Sequence, residues 1–80
     1  MFVGNIHKYM NIMSALIAIA SVCEEFTDTI LVDKKKNSII VNVKKQWFAV
    51  LNKRLLSMRC TLVHKTPINT GYTCTYIYTE

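Results

Sequence analysis

The sequence predicts an α+β fold of two helix–hairpin halves, αββαββ, with an antiparallel sheet of about four strands and both helices packed on one face. Three observations carry this. An apolar run fills residues 12–23, broken only by Ser14 and Ser21. Two pairs of β-branched runs each flank a short polar turn. Between the pairs, helical spacing returns over residues 44–59.

The first run, "NIMSALIAIASVCEEF", has three competing identities. A membrane-crossing helix needs about 20 apolar residues, and this run falls short of that. A secretory signal is the second identity: Lys8 supplies a thin positive flank and Ala18-Ile19-Ala20 fits a small-x-small cleavage pattern that would leave a product starting near Ser21. The third identity, a buried helix, is the one adopted. Asn11 or Asn5 can cap its start, Ala15, Ala18 and Ala20 favour helix, and Glu24 and Glu25 return the chain to water. A helix apolar nearly all round needs cover on more than one side, so the expectation is a sheet on one side and a second copy of the chain on the other.

Thr29 to Asp33 and Ser38 to Val43 read as a hairpin around Lys34, Lys35, Lys36 and Asn37. Asn37 tolerates the left-handed backbone such turns use. Over residues 44–59, Trp47, Leu51, Leu55 and Met58 share one helical stripe with Phe48 beside it, while Lys45, Gln46 and Lys53 lie off it and Lys44, Arg54 and Arg59 flank it. Thr61 to Lys65 and Tyr72 to Thr79 form the second hairpin, joined by "TPINTG", where Pro67 and Gly71 are turn residues. The whole of 1–80 reads as a single small α+β domain. "LVDK" at 31–34 and "LVHK" at 62–65 hold corresponding places in the two halves. The order of elements resembles that of the double-wing DNA-binding domains of phage transcription activators, a resemblance of order alone, without a shared residue motif.

Composition narrows the function classes. The chain is 51% hydrophobic and 19% charged, which is too apolar for a disordered tail. Catalysis is not expected. The acids Glu24, Glu25, Asp28, Asp33 and Glu80 show no acid/base spacing, and there is neither a phosphate loop nor a nucleophile elbow. Cys60 or Cys74 with His64 is the one nucleophile–base pairing on offer, and a strand histidine is more often an ordinary surface residue. Cys23, Cys60 and Cys74 lack paired metal-ligand spacing, so no metal or other cofactor is expected. Reduced buried thiols in the cytoplasm are the plain reading; a Cys60–Cys74 bridge in a secreted form is the alternative.

Ten Lys/Arg against five Asp/Glu give a net charge of +5. The first expectation is therefore a small basic nucleic-acid-binding protein of the kind that viruses and mobile elements use as regulators. The candidate phosphate contacts are Lys34, Lys35, Lys36, Lys44, Lys45, Lys53, Arg54 and Lys65. Two surfaces compete to present them. One is an open sheet face on which Tyr72, Tyr76 and Tyr78 stack bases, with Tyr76 as the central candidate. The other is the two hairpin tips acting as paired wings on a duplex. Cys74 within the tyrosine row, and the polarity of the threonines alternating with it, favour the tyrosines as the core side instead. The alternative function is a protein-interaction module or inhibitor docking on a larger host protein. Neither membrane insertion nor a small-molecule ligand is indicated.

Overall fold

A computed structural model describes residues 14–79. Helix α1 occupies 14–24, followed by strands β1 (Thr27–Asp33) and β2 (Ser38–Lys44). A 3₁₀ turn at Lys45–Trp47 leads into α2 (Phe48–Ser57), and β3 (Cys60–Ile68) and β4 (Gly71–Tyr78) complete the chain. The strands form one antiparallel sheet in the order β1-β2-β4-β3. The fold is the α+β arrangement that the alternation of periods predicts. Asn5, Asn11 and Lys8, to which capping and signal roles were assigned, lie outside the described residues.

Register fixes which side chains share a face. Ile39, Val41 and Val43 of β2 stand opposite Tyr76, Cys74 and Tyr72 of β4. Together with Leu16, Ile19 and Cys23 of α1, Leu51 and Leu55 of α2, and Cys60, these residues make the core. Both helices therefore cover the same side of the sheet. The buried positions of α1 fall at intervals of three and four, one stripe of the helix, whereas Ile17 is 63% exposed. The sheet covers one side of this helix, as its apolar character requires, and the other side faces outward.

Several boundaries differ from the sequence reading, and the larger differences have a physical reason. Lys44 ends β2, and the helix begins only at Phe48, because residues 45–47 wind as a 3₁₀ turn. That turn rotates Trp47 off the core stripe: it is 41% exposed and packs its ring 5.9 Å from Phe26. "TPINTG" is mostly strand, and the turn shrinks to Asn69 and Thr70. Pro67 is tolerated within β3 because β3 is an edge strand. Gly71 is not a positive-φ turn residue. A Cβ there would strike the Val43 carbonyl oxygen and approach the Lys45 nitrogen to 2.6 Å, so this position demands the absence of a side chain.

The β1–β2 tip follows its sequence signals. The Asp33 carboxylate accepts the backbone N–H of Lys35 at 3.0 Å and of Lys36 at 3.4 Å, and Asn37 takes φ 50°. Arg59, just beyond α2, also takes a left-handed φ of 65°, at the helix-terminating position where glycine is the usual residue.

Candidate nucleic-acid interface

The antiparallel register sorts the basic residues by position. Lys34, Lys35 and Lys36 sit at the end of the sheet where β1 turns into β2. The same end carries Arg59: Asn37 accepts the Tyr78 N–H at 2.8 Å, and the neighbouring Thr79 donates its N–H to the Arg59 carbonyl at 3.0 Å. Arg59 is the residue that sequence spacing missed. It is 23 positions from Lys36, and only the β4 end, flanked by both segments, brings them to one rim.

Lys44 and Lys45 lie at the opposite end, where Lys44 pairs with Gly71 and the Lys45 N–H donates to the Thr70 carbonyl at 3.3 Å. Lys65 stands on the helix-covered side of edge strand β3, opposite Cys74. Its ammonium lies 4.5 Å from the Phe48 ring centre and 4.6 Å from that of Tyr72, a cation–π clamp that fixes its direction. Lys53 and Arg54 are on the exposed flank of α2. Arg54 is 3.7 Å from Glu25 and 5.7 Å over the Phe26 ring. Among the described residues it is the only basic side chain paired with a carboxylate.

Two expected surfaces are corrected. Tyr76 is not available for base stacking: it is fully buried beneath α2, and its hydroxyl donates to Asn52 Oδ1 at 2.8 Å. The tyrosine row is the core side, as Cys74 within it signals. The uncovered face instead presents Thr29, Leu31, Ile40, Asn42, Thr73, Thr75, Ile77, His64 and Thr66. Among the described residues it carries no aromatic ring and so no stacking platform. The two hairpin tips do not stand side by side as a pair. Residues 34–37 and 69–70 lie at opposite ends of the sheet, about 20 Å apart at the usual rise per strand residue.

The thiols are likewise placed. Cys60 pairs with Tyr78 and Cys74 with Lys65, so these two cysteines are not cross-strand neighbours, and all three are free and buried. Desolvation pushes the Cys23 thiol up to about 12, with Cys60 adding to it, and the Cys60 thiol up to about 11. Thiols held protonated in this way are poor nucleophiles. Among the described residues, no group of His, Cys, Asp and Glu is arranged to hold a metal, and no helix is long and apolar enough to cross a membrane.

Comparison with protein-family models, with curated proteins and with solved structures finds no match for this chain.

Proposed function

We propose that this chain is a small, non-enzymatic nucleic-acid-binding protein that grips the phosphate backbone and does not read bases. The observation that carries the reading is the state of its positive charge. Lys34, Lys35, Lys36 and Arg59 share one end of the sheet, Lys44 and Lys45 share the other, and among the described residues none has a carboxylate partner. Asp33, next to Lys34 in sequence, has one carboxylate oxygen engaged by the backbone amides of the tip. Unneutralised cations of this kind release counterions from a polyanion when they bind it. Burial of Tyr76, and the lack of a ring on the uncovered face among the described residues, favour phosphate contact, and such contacts carry affinity without sequence information.

The test is a titration of labelled single- and double-stranded DNA at two salt concentrations, with wild type beside a Lys34→Gln/Lys35→Gln/Lys36→Gln variant. The reading expects binding that weakens steeply with salt, varies little with sequence and drops in the variant. Absence of binding at low salt, or binding that salt leaves unchanged, refutes it. A second reading, contact with another polypeptide chain, is favoured by Ile17, Leu31 and Val32 standing exposed beside the edge of β1.

A further inference from the structure

We infer that two copies of this chain pair through β1, antiparallel across a two-fold axis at Leu31, to make a continuous eight-stranded sheet. This inference is independent of nucleic-acid binding and begins with the two edges of the sheet. The β3 edge is protected: it carries Pro67, a bulge at Val63, and Lys65. These are devices that discourage strand addition. The β1 edge has one bulge, near its start at Asp28, and beyond it a run of Ile30, Leu31 and Val32 that is unguarded among the described residues.

Hydrogen-bond phase shows what that edge offers. Tyr78 donates to Asn37, so the odd positions of β2 turn their backbone groups toward β4 and the even positions turn theirs toward β1. Ser38, Ile40 and Asn42 therefore engage Asp33, Leu31 and Thr29. Among the described residues, Ile30 and Val32 are left with N–H and C=O pointing out of the sheet.

A second copy of β1 complements this edge in one register. With the axis at Leu31, Ile30 of each copy meets Val32 of the other, and both offer outward donors and acceptors. Leu31, 62% exposed, meets its own symmetry mate on the uncovered face. Thr29 meets Asp33, and Asp28 comes level with Lys34, which joins opposite charges twice. Shifting the axis to Ile30 sets Asp28 against Val32, and shifting it to Val32 sets Ile30 against Lys34. Only the Leu31 axis matches apolar with apolar and acid with base.

On the helix side, Leu16, Ile17, Ala20, Val32 and Lys34 line a cleft of about 160 Å³ beside β1. The two-fold brings two such clefts together over the seam and covers the outward side of α1. The antiparallel seam also sets the Lys34–Lys36 tip of one copy level with Lys44 and Lys45 of the other, roughly two to three strand spacings away, on the order of 12 Å. Each end of the paired sheet thus combines basic groups that a single copy keeps apart.

Sedimentation equilibrium of the full chain from micromolar to submillimolar concentration, with three variants, tests this. Wild type is expected to reach twice the chain mass. Leu31→Cys, on an exposed side chain, should cross-link into a covalent dimer under mild oxidation, whereas Thr61→Cys on the far strand should stay uncrosslinked. Val32→Pro removes an outward N–H without touching the β1–β2 ladder, and should remain folded by circular dichroism while losing at least tenfold in dimer affinity. A single-chain mass at every concentration overturns the inference. So does a dimer that forms equally well in folded Val32→Pro, or one in which Thr61→Cys cross-links as fast as Leu31→Cys.

Discussion

The Tyr76 hydroxyl donates a 2.8 Å hydrogen bond to Asn52 Oδ1, tying the middle of β4 to the middle of α2 through the core. Tyr76 is among the largest fully buried side chains, and Cys23, Cys60 and Cys74 are close enough to influence its ionisation. One polar atom in an otherwise apolar setting is satisfied by one partner from the covering helix, which fixes where α2 sits along the strand. Tyr76→Phe keeps the ring and deletes the bond. It should cost about 1 kcal/mol in denaturant unfolding. Tyr76→Ala also leaves a cavity and should cost about 3 kcal/mol or more.

Gly71 is a second fixed point. The Val43 carbonyl and the Lys45 amide press against the space where a Cβ would project. Gly71→Ala should destabilise by more than about 2 kcal/mol, far above the usual effect of an added methyl at a strand end. Thermal unfolding of the variant checks this, and an unchanged midpoint would mean that β2 and β4 are not so closely apposed at this point.

The buried thiols make stability depend on alkaline pH. Burial raises Cys23 from an ordinary value of 9.0 to about 12 and Cys60 from 9.0 to about 11. In the unfolded chain both lose protons from about pH 9, while in the folded chain they hold them. The folded state therefore binds more protons between pH 9 and 12, and stability falls as pH rises through that window. Cys74 and Tyr76, also raised by desolvation, act in the same direction. The thiols should resist a disulfide reagent at pH 8 in native protein and react promptly once it is unfolded.

Arg59 offers a test in which fold and function move in opposite directions. An arginine with φ 65° pays a conformational penalty that glycine avoids. Arg59→Gly should therefore raise stability by roughly 0.5–1 kcal/mol. If Arg59 belongs to the phosphate-binding end, the same variant should weaken DNA binding at low salt. Parallel melting and binding curves on one preparation separate the two effects.

Much of the fold was legible because periodicity changes sharply along the chain. The apolar run gave the helix seen over 14–24, and the alternation of Ile39, Val41 and Val43 and the Tyr72/Cys74/Tyr76 row each reflect one buried side. Asn37 announced its own backbone conformation. Less legible was anything set by strand pairing. Pro67 suggested a turn because the sequence alone does not reveal that β3 is an edge strand. Trp47 fitted the helical stripe in spacing, but three residues of 3₁₀ winding rotate it outward. The basic surface had the same difficulty. Lys34, Lys35 and Lys36 are adjacent in sequence and were easy to single out, whereas Arg59 joins them only through Tyr78 and Thr79. Tyr76 was a candidate while the covered face was undecided, and register removes it.

The most direct measurement of the central claim is the salt dependence of DNA affinity. Contact through the four basic residues of one sheet end predicts a linear fall of log K with log salt, with a slope of about −3.6 on duplex DNA. The line should be nearly the same for duplexes of unrelated sequence, since phosphate contacts carry no sequence information. A flat line, or an affinity that changes tenfold with sequence at fixed salt, would contradict the account.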